Sequence, residues 1–137
     1  MKRRILLALG AAVAALTLVS VAIAGVTGAH FVGNPTITTS GNTTTASGKV
    51  AGLGNVEQIE VTVSGDAACI NPGSKKPQAA NKESFSATGT FPVQNGKAEF
   101  SLTLTATFKP DCTPPMTVEW SNIQITVTAP GVSLSFP

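Results

Sequence analysis

Hydrophobic and polar residues alternate along two neighbouring runs, 85–94 and 97–108, which Asn95-Gly96 separates. Strict alternation is typical of a β-strand with one buried face. Asn-Gly between two such runs is the strongest short-range signal of a β-hairpin, because both residues accept positive φ in a type I′ turn. The pattern therefore predicts two strands joined by a two-residue turn, with Gln94 paired to Lys97.

The same turn sets an expected register for the rest of the hairpin. Phe91 would pair with Phe100, and Phe85 with Ala106, within one sheet, because a slip by one residue would move every apolar side chain to the wrong face. In this register Pro92 occupies a hydrogen-bonded position that it cannot use. The sequence therefore predicts either a β-bulge or an open edge beside Pro92.

Further alternating runs predict the other strands, at 35–40, 43–50, 58–64, 116–128 and 132–136. One face of the second run is small, with Thr44, Ala46, Gly48 and Val50, so we expect either a close backbone approach from a neighbour or a weakly filled edge of the core there. Gly65-Asp66 is expected to end the third run. In the run 116–128 the apolar residues change from even-numbered to odd-numbered positions after Trp120. This change of parity predicts a β-bulge at Ser121-Asn122 and a core position for Trp120.

These segments together indicate the fold class. They are seven or eight short strands with turn residues between them, and no stretch after the N-terminal segment has helical periodicity. We expect an all-β, immunoglobulin-like antiparallel sandwich. It would depart from antibody domains in one respect, because Trp120 follows the second cysteine instead of lying between the two.

The first residues are typical of a secretory signal peptide. A basic start, Lys2-Arg3-Arg4, precedes an almost wholly apolar run, and small residues follow at Ala24 and Ala29. We therefore expect residues 1–29 to be removed by cleavage after Ala24 or Ala29, which leaves residues 30–137 as one domain. The alternative is an uncleaved N-terminal membrane anchor, since the apolar run is about long enough to cross a bilayer.

Removal of this segment reverses the charge of the chain. Three of the nine basic residues belong to it, so six lysines remain against seven acidic residues and the net charge becomes −1. A protein with this balance has no electrostatic attraction for nucleic acid or for an anionic membrane. We expect neither as a partner; an envelope protein, an extracellular protein or a small ligand remains open.

Cys69 and Cys112 are the two cysteines of the chain. An even count in an exported protein predicts a disulfide between them. This bond would close a loop of 43 residues around the predicted hairpin.

Two turn sequences carry a resemblance to known proteins. Gly52-Leu53-Gly54-Asn55 and Cys69-Ile70-Asn71-Pro72-Gly73, with a second cysteine before the last strands, resemble a group of small exported β-sandwich proteins common in actinobacteria. The resemblance covers most of the chain after the signal peptide. It implies an exported β-domain, and it implies no activity, because that group is uncharacterised.

Residues that could support catalysis are few. A serine or cysteine nucleophile needs a nearby base, and the only histidine is His30, at the start of the expected domain. Paired carboxylates could hydrolyse glycosides, but Glu60, Glu99 and Glu119 alternate with core residues and should face solvent. His30 could bind copper as an N-terminal residue, although such sites use further ligands that the chain lacks. We expect no enzyme activity and no cofactor.

Two weaker candidate sites lie near the cysteines. Asp66, Asn71 and Asp111 offer the hard oxygen ligands that calcium prefers, and the disulfide would draw them together. The polar loop Asn71–Lys82 carries Lys75, Lys76 and Lys82, and loops on a rigid framework are common binding sites. We therefore expect this loop to be the partner-binding region, if it is more than an insertion.

The expected function follows from these features. The leading interpretation is an exported, non-catalytic module that acts at or outside the cell envelope by binding or as a structural component. One alternative is a small-ligand carrier resembling the antibiotic-binding apoproteins of neocarzinostatin type, which would need an accessible apolar cavity between the sheets. A secreted hydrolase is the other alternative.

Overall fold

A computed structural model of the chain describes residues 28–73 and 81–137. The expected signal peptide up to residue 27, Lys75 and Lys76 lie outside the described residues. The eight strands, numbered in chain order, are β1 (His30–Phe31), β2 (Thr36–Ser40), β3 (Thr43–Ala51), β4 (Gln58–Ile70), β5 (Lys82–Pro92), β6 (Ala98–Thr105), β7 (Thr117–Ala129) and β8 (Val132–Phe136). No helix in these two ranges is long and apolar enough to cross a membrane.

The strands form two antiparallel sheets, which confirms the predicted sandwich. In the first sheet β3 pairs with β6 on one side and with β1 and β2 on the other; the second sheet has the order β5-β4-β7-β8. If β2 is taken as strand A, the sheets are A-B-E and C′-C-F-G, which is the immunoglobulin-like arrangement. The disulfide differs from that of antibody domains, because it joins the end of β4 to the connection between β6 and β7.

The core lies between the two sheets. Apolar side chains that alternate along the strands fill it, and its fully buried members include Ile59, Val61, Val63, Leu104, Ile125 and Val127. A second, smaller cluster around Cys69, Ala67, Ala106 and Phe108 lies beside the disulfide. The space between the sheets is thus occupied by the protein's own side chains.

The predicted hairpin is correct at its turn and wrong beyond it. Gln94 and Lys97 pair as expected, and Asn95 and Gly96 have φ of 54° and 75°. The two strands then separate, because β5 pairs with β4 and β6 pairs with β3. Phe91 does meet Phe100, with ring centroids 6.3 Å apart, but across the sandwich instead of within one sheet.

The physical reason is that alternation determines only which face of a strand is buried. It does not determine which strand lies beside it in the sheet, so facing sheets and a flat hairpin satisfy the same pattern. Of the two alternatives predicted at Pro92, a β-bulge or an open edge, the structure has the open edge, because β5 is an edge strand. Since the Val93 amide donates to the Glu57 carbonyl of the β4 side at 2.9 Å, the neighbouring Pro92 nitrogen faces the open edge.

Two predicted strand ends are also wrong. Gly65-Asp66 does not end β4, which continues to Ile70. The sixth strand ends at Thr105 and not beside Lys109. There the Ala106 amide donates to the Asn42 carbonyl at 2.8 Å, and Ala106 and Phe108 remain buried.

The predicted bulge is confirmed. Ser64 pairs with Gln124 and Asp66 pairs with Ser121, so Asn122 and Ile123 together lie opposite Gly65 alone. Asn122 adopts φ of 53°, the left-handed region that asparagine tolerates better than most residues. The extra residue returns Ile125 and Val127 to the core after the parity flip.

Candidate functional site

An open cleft of about 690 Å³ lies at one end of the sandwich. Its walls come from the connection between β3 and β4, residues 52–57, and from the turn between β5 and β6, residues 93–97. This volume is comparable to the roughly 300–1,000 Å³ of small-molecule sites, but the cleft is wide open to solvent and lacks their mostly apolar lining. A ligand bound here would remain largely exposed.

Two tight turns build the cleft and bind to each other. Gly52 and Gly54 have φ of 76° and 58°, and between them Leu53 is fully buried. The Leu53 amide donates to the Gly96 carbonyl at 3.0 Å. A Cβ at Gly96 would lie 3.5 Å from the Gly54 nitrogen, an ordinary contact distance, so it is the positive φ of Gly96 that favours glycine at this position.

The cleft residues combine several kinds of contact. Glu57 and Lys97 are exposed charges of opposite sign, Asn55 and Asn95 are exposed amides, and Val56 and Val93 are half-buried apolar side chains. Such a set can offer donors, acceptors and a small apolar surface to one molecule. It suits a small polar ligand or the end of a polymer better than a large apolar ligand.

The start of the described chain lies at this same end. Gly52 packs so tightly against the Gly28 carbonyl that a Cβ there would overlap it. His30 pairs with Ala51, and its Nδ1 lies 2.7 Å from the Gly28 carbonyl oxygen. Gly28, where the described chain begins, therefore lies beside the cleft.

The disulfide lies at the opposite end of the sandwich. Cys69 and Cys112 are bonded, with Cα atoms 5.7 Å apart, as predicted. The β4 strand runs for 13 residues from Gln58, near the cleft, to Ile70, beside this bond, a distance of roughly 40 Å at about 3.3 Å per residue. The candidate binding loop begins here as well, and Lys82 is placed as the first residue of β5, paired with Ala68.

Asp66 is held by two hydrogen bonds of its own sheet. Ser84 Oγ donates to one carboxylate oxygen at 2.7 Å and Asn122 Nδ2 donates to the other at 2.9 Å. The Asn122 bond first, and the Ser84 bond second, hold the pKa of Asp66 below its usual value of 3.8. Asp66 alternates with the core residues of β4, so its side chain lies on the outer face of the sheet.

The other two calcium candidates occupy loops near the disulfide. Asn71 Oδ1 accepts a hydrogen bond from the Gly73 amide at 3.1 Å, an Asx-turn, and Asp111 is exposed. Within residues 28–73 and 81–137 no three His, Cys, Asp or Glu side chains gather as metal ligands would.

The three candidate carboxylates face solvent on different strands, as predicted. Glu60 lies on β4, Glu99 on β6 and Glu119 on β7, and all three are exposed. Glu99 lies 3.9 Å from Lys49 in a surface ion pair. Glu60 and Glu99 belong to different sheets, and each lies on the outer face of its own.

Trp120 packs between the two core clusters and is half-buried. Its ring meets the edge of Phe85 at a centroid distance of 6.1 Å, and its Nε1 donates to the Gly41 carbonyl at 3.3 Å. The Trp120 side chain thus connects β7 to β5 in its own sheet and to the turn between β2 and β3 in the other sheet. Its indole N–H has a hydrogen-bond partner within the protein.

The sequence predicts both turns of the cleft but not the cleft itself. Gly52-Leu53-Gly54-Asn55 and Asn95-Gly96 were each recognisable as a turn, yet neither pattern indicates that the two lie side by side. Glu57 and Lys97 were missed for this reason. Comparison with protein-family models, curated proteins and solved structures finds no match for this chain.

Proposed function

We propose that this protein is an exported, non-catalytic binding module that acts at or outside the cell envelope. The observation that carries the proposal is the cleft between residues 52–57 and 93–97, where two hydrogen-bonded turns present charged, amide and apolar groups together. Binding residues tend to lie on loops that a rigid framework positions. Here the framework is a sandwich with a filled core and a disulfide.

The non-catalytic part of the proposal rests on where the reactive groups lie. Both thiols are consumed in the disulfide. The imidazole of His30 contacts the Gly28 carbonyl. The three strand carboxylates occupy separate exposed positions, whereas glycoside hydrolysis needs two that face each other across one bond, about 5–10 Å apart. These placements favour binding over catalysis.

The location at the envelope rests on the apolar N-terminal segment and on the disulfide. Disulfides persist mainly in oxidising compartments outside the cytosol. Residue 28 enters the domain beside the cleft. A retained N-terminal anchor would therefore direct the cleft towards the membrane, and a cleaved chain would leave it open to the medium.

The carrier alternative gains no comparable support. A carrier of neocarzinostatin type would hold its apolar ligand between the sheets, where Ile59, Val61, Val63 and Ile125 are fully buried against one another. The loop with Lys75, Lys76 and Lys82 remains a second candidate surface, at the disulfide end.

Amide chemical shifts of the isotope-labelled mature protein test the proposal. The probes are soluble polysaccharide and peptidoglycan digests from the cell envelope of the source organism. We expect shifts concentrated at residues 52–57 and 93–97, which the double variant Glu57→Gln/Lys97→Ser abolishes. The matched control Glu119→Gln/Lys109→Ser makes the same chemical changes outside the cleft and should bind normally.

Two results would count against the cleft. The first is the absence of shifts with every fraction. The second is a set of shifts confined to the disulfide end, which the variant Lys75→Ser/Lys76→Ser/Lys82→Ser then removes; that result would transfer the binding site to the loop.

A further inference from the structure

The fifth strand is the longest edge strand in the described part of the chain. It has 11 residues and pairs only with β4, whereas the edge strand β6 has 8 residues and β2 and β8 have 5 each. An edge strand presents unpaired amide and carbonyl groups that can pair with another chain, and proteins usually interrupt long edges with charges, proline or bulges. Lys82, Glu83 and Pro92 do so only at the ends of β5.

The direction of the amide groups follows from the pairing with β4. Pairing is continuous from Gln58–Pro92 to Ala68–Lys82, and the Val93 amide donates to the Glu57 carbonyl. Because consecutive residues of a strand direct their backbone groups to opposite sides, every second residue faces the open edge. Those residues are Ser84, Ser86, Thr88 and Thr90.

Apolar surface remains uncovered along the same side of the sandwich. Phe85, Ala87 and Phe91 point inward from β5 yet are only half-buried, and so is Leu102 on the neighbouring edge strand β6. Gly89 lies among them, where a Cβ would be 3.0 Å from the Leu102 side chain. A second strand laid against β5 would cover this apolar surface.

We infer that two copies of this protein associate through antiparallel pairing of their β5 strands, with the two-fold axis at Ala87. Ser84 then pairs with Thr90 of the partner subunit, and Ser86 pairs with Thr88 of the partner subunit. Every outward amide between Lys82 and Pro92 is used, and neither the lysine nor the proline enters the paired segment. The second sheet becomes continuous across both subunits.

The chemistry of the segment favours a second copy over a different partner. Residues 84–90 carry no charge, so identical strands do not repel each other. The outer face would pair hydroxyl with hydroxyl, as Thr62 and Thr88 already do at 3.1 Å between β4 and β5. On the inner face Phe85 would lie opposite the glycine at position 89 of the partner subunit, which leaves room for its ring. An isologous interface requires this kind of self-complementarity.

Thr88→Pro tests the inference, since the Thr88 amide faces outward and makes no bond to β4; within the subunit the variant loses only the exposed hydroxyl contact with Thr62. Ser135→Pro is the matched control on β8. A two-residue turn joins Ala129 to Val132, so the Ser135 amide also faces an open edge. In sedimentation velocity we expect the wild-type protein and Ser135→Pro to be dimers and Thr88→Pro to be a monomer.

Amide hydrogen exchange provides a second readout that needs no variant. The amides of Ser86, Thr88 and Thr90 should exchange slowly at high protein concentration and quickly on dilution, whereas Ser133 and Ser135 should exchange at one rate throughout. If Thr88→Pro fails to fold, this measurement alone decides.

Several outcomes would overturn the inference. They are a wild-type protein that is monomeric at every concentration, a dimer that survives Thr88→Pro, and a dimer that Ser135→Pro also dissociates. Protection of the three β5 amides that does not change on dilution would show that the edge is covered within one chain.

Discussion

Asp66 connects three strands through one side chain. It lies on β4, accepts a hydrogen bond from Ser84 on β5 and accepts another from Asn122 on β7. The second bond holds the residue whose positive φ makes the bulge. The carboxylate therefore stabilises the local geometry that returns the end of β7 to the core.

This arrangement makes part of the stability depend on pH. Because both hydrogen bonds favour the ionised form, the pKa of Asp66 is lower in the folded protein than the ordinary value of 3.8. The contribution is fully present above that ordinary value and is lost as pH falls through the lower folded value. We expect Asp66→Asn to reduce the melting temperature at neutral pH and to reduce its fall below pH 3.8. Asp111→Asn, an exposed carboxyl in the β6–β7 connection, is the control; a wild-type acid profile for Asp66→Asn would contradict the account.

The small face of β3 that includes Gly48 was predicted to permit a close backbone approach, but the group that approaches Gly48 is the ring of Phe100. A Cβ at position 48 would lie 2.8 Å from the ring. The ring cannot easily move, because Phe31 and Phe91 pack against it at centroid distances of 6.4 and 6.3 Å. We expect Gly48→Ala to lower the free energy of unfolding by about 1–3 kcal/mol in denaturant titrations. Gly73→Ala, where the nearest atom is 3.7 Å away, should cost less; equal effects would mean that packing at Phe100 is not the cause.

At the scale of single elements, the sequence predicted the number of strands, their buried faces and the bulge. It did not predict which strands lie beside one another, because this depends on contacts between elements. The runs around Phe91 and Phe100 indicate two inward faces, and both a hairpin and two facing sheets bury them. Gly65 suggested a strand end because glycine weakens isolated strands, yet β5 and β7 on both sides hold β4 in place.

The bulge in β7 can be tested by comparing valine with glycine at two positions of the strand, because the more stabilising residue should differ between the bulge and the regular part. At Asn122, φ is 53°, where a β-branched residue is strained and glycine is not. We expect Asn122→Val to be less stable than Asn122→Gly by about 1–2 kcal/mol. At Thr126, in the regular part of the same strand, valine should instead be more stable than glycine. If valine is also preferred at position 122, measured by the same denaturant titration, then the bulge is not located there.

At the scale of the whole molecule, the two ends of the sandwich differ. One end has the cleft and the entry of the chain at Gly28; the other has the disulfide and the start of the lysine loop. The sequence predicted the disulfide, because only two cysteines are present. It could not predict the cleft, because two turns that are about 40 residues apart meet only when the strand order is known.

The disulfide should dominate the stability of the disulfide end. It encloses β5 and β6 in a loop of 43 residues, and Cys69 is 5% exposed within a small apolar cluster. We expect the double variant Cys69→Ser/Cys112→Ser to lose roughly 2–5 kcal/mol of unfolding free energy. Reduction of the wild-type protein should cause a similar loss, and an unchanged denaturation midpoint in both experiments would contradict this role.

The proposed role requires that the chain is exported and that one disulfide closes it. The intact mass of the protein recovered from the culture medium of its source organism tests both requirements together. We expect the mass of residues 25–137 or 30–137, less two hydrogen atoms for the bond between Cys69 and Cys112. A full-length mass, found only with the membranes or the cytosol and with both thiols free, would contradict it.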